Sequence, residues 1–328
     1  MSVADHPYAE TQSARSVLMV RPARFGCNPQ TADSNAFQHT PGVAGEQYAA
    51  VLQEFDALAD ALIHAGVEVL VAADSDEPAK PDAIFPNNWV SFHHDGTVAL
   101  YPMLAPNRRA ERREEILEQV VRIGGFRVSR TVDLSHRETE AKFLEGTGSV
   151  VLDRVHRIAY ACSSPRTDLD VLGEFAQLLD YELMTFDAMD SKGRLIYHTN
   201  VMLGIGTDFA VVCGESFANA AHRAAVFSQL RGTGHEIVDI TQQQMAHFAA
   251  NVLELASLKS KVLALSTAAL DSLNSTQRGI LEAYTELVPV SIPTIERVGG
   301  GGVRCMLAEI HLPKRDTAAR AAACAIKP

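Results

Sequence analysis

Residues 198–240 read HTNVMLGIGTDFAVVCGESFANAAHRAAVFSQLRGTGHEIVDI and contain the unit that decides the fold. Val201–Leu203 and Phe209–Cys213 have the composition of short strands, and the glycine-rich segment between them predicts a turn. Ser216–Leu230 has the apolar spacing of a helix, and Glu236–Ile240 predicts one more strand. The stretch therefore predicts a strand–strand–helix–strand unit.

The same order of elements recurs along the chain. Hairpins are predicted at 89–101, 149–161 and 252–265, and each is followed by a predicted helix and a further strand. The helices are expected at Arg108–Ile123, Asp168–Leu179 and Thr276–Leu287, and the closing strands at Phe126–Ser129, Glu182–Phe186 and Val288–Ile292. Units this short do not bury their own apolar faces, so the repeat predicts a closed ring.

The first of the five units is split between the two ends of the chain. Val17–Val20, a helix at Gly45–Ala65 and a strand at Val67–Val71 supply its later part, and Val303–Ile310 supplies its opening strand. Pairing of the last strand with the first unit would close the ring, as in propellers. The competing fold is a doubly wound sheet, which would lack the recurrent hairpin.

Composition limits the class of protein. The 328 residues include 29 Lys and Arg against 40 Asp and Glu, which gives a formal charge of −11, and 47% of the residues are hydrophobic. These values are typical of a globular protein and argue against a surface for nucleic acid or an anionic membrane. No apolar run approaches the length of a membrane span. We expect a single domain at 16–314 between disordered tails at 1–15 and 315–328.

Cysteine usage and the N-terminus bear on the compartment. The five cysteines are widely spaced, odd in number and without a CxxC pair, which argues against a disulfide framework or a structural zinc site. The first residues lack the basic start and the apolar stretch of a secretory signal. We therefore expect a cytoplasmic location.

Five residues stand at one phase of the repeat, at or just before the opening strand of each unit. They are Asn88, Glu145, His198, Asn251 and Cys305, and consecutive members are 53 to 57 residues apart. Equal spacing by one repeat predicts equal placement in the ring, so these side chains should converge at one end of its axis. A Cys, a His and a Glu brought together there supply a nucleophile, a proton carrier and an orienting anion.

The local contexts of these residues strengthen the catalytic interpretation. Cys305 follows the glycine run Gly299–Gly302, which lets the backbone approach a ligand closely and move over it. His198 can carry a proton near neutral pH, and Glu145 can orient it or share the charge of a cationic substrate. The histidines lack the spacing of metal ligands, so no metal is expected. The charged segment Asn107–Arg113 is interpreted as a solvated helix face.

Six segments resemble those of the guanidino-group-modifying superfamily, the penteins. They are VLMVRPARFGCNPQTADSNAFQ (17–38), PDAIFPNNWVSFH (81–93), FLEGTGSVVLDR (143–154), YHTNVMLGIG (197–206), MAHFAANVLEL (245–255) and GGGGVRCMLAEIHLP (299–313). The chain is most similar to the citrulline utilisation hydrolases, and it is related to arginine deiminase, dimethylarginine dimethylaminohydrolase and the arginine amidinotransferases. The resemblance implies an α/β fold, the five-bladed pseudo-symmetric α/β propeller built from ββαβ repeats.

The resemblance also implies roles for individual residues. The Cys305 thiolate would attack the central carbon of a guanidinium or urea group and form an S-alkyl intermediate. His198 would protonate the leaving nitrogen and then help water to attack, while Glu145 would orient His198. Asp82 matches an aspartate that binds the guanidino end, and Arg166 resembles a clamp on the substrate carboxylate. The substrate-binding set is completed by Asn88, Asn251, Phe37 and Asn200.

Asn88 departs from the deiminase pattern, which has an acidic residue at this phase. An amide both donates and accepts hydrogen bonds, which suits a neutral ureido group, and the dihydrolase branch of the superfamily resembles this arrangement. The leading hypothesis is therefore a hydrolase without a cofactor that converts citrulline or arginine to ornithine, ammonia and carbon dioxide. The alternatives are a dimethylarginine or arginine hydrolase that stops at citrulline, an amidinotransferase, and a propeller that binds without turnover. The expected partner is the small amino-acid substrate, and homo-oligomers are left open.

Overall fold

The structure is a computed structural model that describes residues 10–32, 35, 37–38 and 44–315. Its strands are β1 (Ser16–Arg21), β2 (Glu68–Ala73), β3 (Val90–Phe92), β4 (Thr97–Leu100), β5 (Arg130–Asp133), β6 (Val151–Asp153), β7 (Ile158–Cys162), β8 (Glu182–Phe186), β9 (Leu203–Ile205), β10 (Phe209–Cys213), β11 (Glu236–Ile240), β12 (Leu253–Ala256), β13 (Lys261–Ser266), β14 (Glu286–Val290) and β15 (Ala308–Ile310). Its α-helices are α1 (Ala44–His64), α2 (Glu114–Arg122), α3 (Gly146–Ser149), α4 (Leu169–Leu179), α5 (Ala220–Gly232), α6 (Gln242–Met245), α7 (Thr267–Ser272), α8 (Ser275–Tyr284) and α9 (Pro293–Gly299).

The described strands form five three-stranded sheets of the same design. In each sheet the first strand pairs antiparallel with the second, and the third pairs parallel with the second after a helical crossover. The middle strand is apolar and fully buried in the sheet β9–β10–β11, where every residue of Phe209–Cys213 is shielded from solvent. A strand covered on both faces reads as a continuous apolar run, which is why this stretch identifies the unit so clearly.

Pairing between the two ends of the chain completes the first sheet. β15 pairs antiparallel with β1, with Ser16 opposite Ile310, and β1 pairs parallel with β2. The first strands of neighbouring sheets also contact one another, as β15 does with β3 and β9 with β12. The predicted five-bladed α/β propeller is confirmed, and the doubly wound sheet is wrong because five separate sheets are present among the described residues.

Several predicted boundaries shift by a few residues. The closing strand of the second unit is β5 rather than Phe126–Ser129, because Phe126 is a buried core residue that forms only an isolated bridge. The opening strand of the split unit is reduced to β15, because Val303–Met306 forms a 3₁₀ turn instead. α5 starts after Asn219, whose side chain accepts a hydrogen bond from the backbone N–H of His222.

Helix α1 shows how the outer layer is held to the sheets. Val51, Phe55, Leu58 and Leu62 recur three or four residues apart and are all fully buried. This spacing puts them on one face of the helix. They join the apolar cluster that contains Val17 and residues around Cys305, so the outer helix also supports the base of the ring mouth where Cys305 lies.

The predicted N-terminal tail is wrong for residues 10–15. Glu10, Gln12 and Ser13 are buried, and the Gln12 side chain donates to the carbonyl of Leu152 at 2.9 Å. Ala14 forms a parallel bridge with Leu255. Gln12 also donates to the carbonyl of Ile205, and Ser13 donates to the carboxylate of Glu254, contacts that composition alone does not indicate. Residues 1–9 and 316–328, the remainder of the predicted tails, lie outside the described residues.

Among the described residues, no helix combines the length and apolar character required to span a lipid bilayer.

Glu10 anchors this N-terminal segment through buried charge. Its carboxylate pairs with Arg154 at 2.8 Å and with Arg157 at 2.6 Å, and both Glu10 and Arg154 are almost fully buried. Burial raises the pKa of Glu10, but the effects of Arg154 and His94 are larger together and hold it well below its usual range. The charge therefore persists at neutral pH.

We predict that Glu10→Gln lowers the free energy of unfolding by about 3 kcal/mol, because Arg154 keeps its charge in a buried site with one partner fewer. Glu77→Gln is the matched control, since its pair with Arg24 is exposed and such pairs contribute about 0–1 kcal/mol. Urea denaturation measures both variants. If Glu10→Gln were as stable as Glu77→Gln, the result would contradict a structural role for residues 10–15.

Candidate active site

The five residues at one phase of the repeat occupy equivalent places. Asn88, His198 and Cys305 each belong to or border a short 3₁₀ turn ahead of an inner strand. Glu145 stands at the start of α3, before β6, and Asn251 lies two residues before β12. The turns bring all five side chains to the same mouth of the ring.

Glu145 is the buried anion of this mouth. Its Oε2 atom lies 2.8 Å from His198 Nε2, 3.3 Å from Arg166 Nη1 and 3.7 Å from Arg108 Nη1. Burial raises the pKa of this carboxyl group, but Arg166, His198 and Arg108 outweigh burial and hold the pKa well below its usual range. Glu145 is therefore ionised and can orient the imidazole and stabilise its protonated form.

His198 is neutral in the resting site. Burial lowers its pKa to about 4, and the hydrogen bond that His198 donates to Glu145 only partly opposes this effect. An imidazole that is neutral at pH 7 can accept a proton from a thiol, and the carboxylate behind it favours that transfer.

Cys305 is held by two amides. Asn251 Nδ2 lies 3.3 Å from the sulfur and Asn200 Nδ2 lies 3.7 Å from it. Burial raises the pKa of the Cys305 thiol, although the hydrogen bond with Asn251 acts in the opposite direction. The two amide donors would stabilise a thiolate once the proton has left.

The glycine run packs closely against the surrounding walls. Gly300 has φ +66°, and a Cβ atom there would lie 2.6 Å from the side chain of Asn35. A Cβ at Gly302 would lie 2.7 Å from Asn251 Oδ1. Only glycine fits both positions, so the run permits a backbone path that brings Cys305 beside its amide partners.

A small pocket opens beside the thiol. Its walls include the predicted residues Asp82, Asn88, Arg166, His198 and Cys305. The glycine run, which was expected to approach a ligand, lines it with Gly299–Gly301. The sequence did not predict four further lining residues: Asn35, Phe85, Arg108 and Tyr197. Glu145 stands behind His198, so the pocket holds a thiol, an imidazole with its anion, and charged groups of both signs.

Three predicted binding residues lie outside the pocket wall. Asn251 and Asn200 contact the sulfur of Cys305 from behind. Phe37 packs against the Tyr197 ring, with centroids 6.2 Å apart, and against Phe248. Their positions support the site indirectly and do not put them on the wall that a substrate would touch.

Arg108 corrects the interpretation of 107–113 as a solvated helix face. It is 2% exposed and forms a two-pronged ion pair with Glu111, with both N–O distances at 2.9 Å. Its Nη1 donates to Asn88 Oδ1 at 3.0 Å, and its Nε lies 3.6 Å from Asp82 Oδ2. An Arg–Glu pair three residues apart is common on exposed helices, so no sequence signal separated this buried pair from a surface pair.

Two side-chain atoms of residues that line the pocket have no hydrogen-bond partner in the part of the chain that the structure describes. Asp82 Oδ1 is an acceptor and Asn88 Nδ2 is a donor, and both are buried. Buried polar atoms are normally paired, so these two are available to a ligand. Among the described residues, no group of three His, Cys, Asp or Glu side chains is arranged to hold a metal ion.

Structural comparison shows the same fold in proteins of low identity. The N-terminal domain of ArgZ, bound covalently to a reaction intermediate, is 17% identical with a TM-score of 0.67, over 91% of this chain and 99% of that domain. ArgZ is an arginine dihydrolase of the ornithine–ammonia cycle in Cyanobacteria. AgrE in complex with ornithine and NAD⁺ is 18% identical with a TM-score of 0.70, over 93% of this chain and 40% of AgrE.

A third structure is an adduct of dimethylarginine dimethylaminohydrolase with S-methyl-L-thiocitrulline. It is 15% identical with a TM-score of 0.63, over 90% of this chain and 100% of that one. No curated protein sequence matches the chain significantly.

One family model matches nearly the whole chain. It describes the eukaryotic N,N-dimethylarginine dimethylhydrolases and aligns with residues 21–312. That range includes both the catalytic mouth and four complete sheets. The chain therefore belongs to the N,N-dimethylarginine dimethylhydrolase family, within the pentein superfamily, and is a guanidino-group hydrolase.

Proposed function

We propose that this protein hydrolyses citrulline to ornithine, ammonia and carbon dioxide through a covalent intermediate on Cys305. The observation that carries the choice of a ureido substrate is the state of Asn88. Its Oδ1 is occupied by Arg108, while its Nδ2 is buried and has no hydrogen-bond partner among the described residues. A ureido oxygen accepts hydrogen bonds, whereas a guanidinium has only donors, so the spare donor of Asn88 suits citrulline.

The charge near Asn88 supports the same choice. Arg108 is already a buried guanidinium between Asn88 and Asp82, and Glu111 and Asp82 outweigh burial and raise its pKa, so it stays charged. A substrate guanidinium would lie near this fixed cation and would depend on the Asp82 carboxylate to offset the repulsion, whereas a ureido group carries no charge. Asp82 Oδ1 remains as an acceptor for a substrate N–H.

The reaction follows from the Cys–His–Glu arrangement. The Cys305 proton passes to His198, and the thiolate forms a bond with the ureido carbon. The bond to the terminal nitrogen breaks, and ammonia leaves with the proton from His198. Water, deprotonated by His198, then displaces the sulfur from the thiocarbamate, and the resulting carbamate loses carbon dioxide to leave ornithine. Glu145 stabilises the imidazolium form of His198 both times that it arises, after proton transfer from Cys305 and after proton transfer from water.

The rest of the substrate would be held by the outer wall. Arg166 lines the pocket, and its guanidinium suits a substrate carboxylate because it can donate two parallel hydrogen bonds. The relatives are consistent with this substrate class, since AgrE binds ornithine and ArgZ is an arginine dihydrolase.

Hydrolysis of arginine or dimethylarginine is the second candidate. The unpaired Asp82 Oδ1 favours it, because a carboxylate oxygen is a good acceptor for a cationic N–H. The family model, which describes dimethylarginine hydrolases, points in the same direction. Arginine could also be processed through citrulline to ornithine in the same pocket.

We predict that the purified protein releases ornithine and ammonia from citrulline, and that Cys305→Ser abolishes this turnover because the attacking thiolate is lost. Amino-acid analysis of reactions with citrulline, arginine and dimethylarginine identifies the substrate. Cys213→Ala is the matched control, since Cys213 is a buried residue of β10 outside the pocket. No ornithine from citrulline would exclude the proposed reaction, and turnover by the Ser variant would exclude the nucleophile.

The substitution Asn88→Asp should change substrate preference. The carboxylate loses the Nδ2 donor for a ureido oxygen and adds a negative charge for a guanidinium, and a charged hydrogen bond of this kind is worth about 1.5–3 kcal/mol. We expect the ratio of kcat/KM for arginine to that for citrulline to rise by about tenfold or more. Both substrates are measured on one preparation of the variant, so the effect of any misfolded fraction cancels in the ratio of the two kcat/KM values. An unchanged ratio would remove Asn88 from the specificity argument.

Alkylation should report the raised pKa of the Cys305 thiol. Because the thiolate is the reactive form, the rate with iodoacetamide should rise by about tenfold per pH unit between pH 7 and 9. Mass spectrometry of the labelled peptide separates Cys305 from the other cysteines, and Cys305→Ser identifies its peptide. A fast rate that is constant from pH 6 upward would instead indicate a resting thiolate.

A further inference from the structure

Asn28 lies in the segment after β1 and is fully buried beside the pocket. Its Nδ2 donates to Asp82 Oδ2 at 2.7 Å. Its Oδ1 accepts from the backbone N–H of Gln30 at 3.1 Å and from Asn107 Nδ2 at 2.8 Å. Both ends of the amide are therefore used, which fixes its orientation and leaves its donor directed at Asp82.

Asp82 has two oxygens with different surroundings. Oδ2 receives the hydrogen bond from Asn28, lies 3.4 Å from Thr31 Oγ1 and lies 3.6 Å from Arg108 Nε. Oδ1 has no partner. If the Asp82 carboxylate could rotate freely about its Cβ–Cγ bond, the two oxygens would exchange positions. The bond from Asn28 is the shortest at Oδ2 and selects which oxygen remains for a ligand.

The same residue is tied to the turn that carries Arg108. Asn107 exchanges two side-chain hydrogen bonds with Asn28, at 2.8 and 3.2 Å, and its backbone N–H donates to the side chain of Gln30 at 2.9 Å. Asn107 directly precedes Arg108 in the 3₁₀ helix Pro106–Glu111. Asn28 therefore connects two walls of the pocket, the one with Asp82 and the one with Arg108.

We propose that Asn28 is a positioning residue that holds Asp82 with its Oδ1 atom available to an N–H group at the reacting end of the substrate. The role of Asn28 rests on the proposed function, in which Asp82 accepts that hydrogen bond. Asn28 itself does not line the pocket. Its effect on turnover must therefore pass through Asp82.

Asn28→Asp tests this role with a change of one atom. Asp keeps the shape and the oxygen that accepts from Gln30 and Asn107, but at neutral pH it has no donor and repels Asp82. We expect KM to rise at least about tenfold at pH 8, with a smaller change in kcat, since a misplaced acceptor weakens substrate binding. Two adjacent carboxylates share a proton at lower pH, which restores a donor, so the defect relative to wild type should shrink on acidification.

A purely structural role predicts a different result, because the accepted hydrogen bonds survive in the variant. A KM within twofold of wild type at pH 8, or a defect that does not change with pH, would overturn the proposal. Asn274→Asp is the matched control. Asn274 caps α8 with its side-chain oxygen, far from the pocket in the fold, and Asp can replace it there.

A double-mutant cycle shows whether the effect passes through Asp82. In an Asp82→Asn background the pocket has already lost the Asp82 carboxylate. Asn28→Asp should therefore change KM in that background by less than about twofold. A penalty as large as in the wild-type background would overturn the proposal.

A covalent probe separates this proposal from the choice of substrate. 2-Chloroacetamidine is a cationic amidine that forms a C–S bond with the thiolate and releases chloride, and its N–H groups can use Asp82. Asn28→Ala leaves all charges unchanged, and we expect it to slow alkylation of Cys305 by this probe at least fivefold but to leave the rate with iodoacetamide unchanged. Equal rates with the amidine in wild type and variant would overturn the role of Asn28. If wild type turns over neither citrulline nor arginine, the proposed function fails, and selective slowing of the amidine still supports Asn28.

Discussion

The antiparallel pairing of β15 with β1 is the constraint on which the rest of the structure depends. It completes the first sheet from the two ends of the chain and so brings the C-terminal strand back to the N-terminal one. It also fixes the turn Val303–Met306, which lies immediately before β15. The nucleophile candidate Cys305 therefore lies beside residues that come from distant parts of the sequence. Loss of the β15–β1 pairing would separate Cys305 from His198 even if the other four sheets stayed folded.

Closure alone does not make the mouth reactive; buried charge does. Glu145 has no exposed surface, and its ionised state depends on Arg166, His198 and Arg108. A buried carboxylate with one partner would tend to take up a proton instead. The three neighbours keep it charged, and it in turn favours proton transfer onto an imidazole whose pKa burial lowers to about 4. The resting site is thus a neutral thiol and a neutral imidazole next to a permanent anion.

The sequence predicted the ring and its reacting end well, because both depend on a period. Equal spacing identified Asn88, Glu145, His198, Asn251 and Cys305 without any knowledge of contacts. Interactions without a period were not predictable in the same way. The buried pairs Arg108–Glu111 and Glu10–Arg154 join residues whose sequence context is that of a surface or a tail. These pairs are buried because of the shape of the completed ring, and no local sequence pattern predicts that shape.

The chemistry and the binding of substrate depend on different parts of the fold. The reacting groups stand on short turns that are anchored by inner strands, which holds them rigidly. The substrate wall depends on one irregular segment: Asn28 bonds Asp82, Thr31 accepts from Arg166 Nη2 at 3.3 Å, and Asn35 donates to the carbonyl of Gly299 at 3.3 Å. Loops tolerate sequence change better than packed strands do. Changes in this segment are therefore expected to alter the pocket wall around Asp82 while leaving the positions of Cys305, His198 and Glu145 intact.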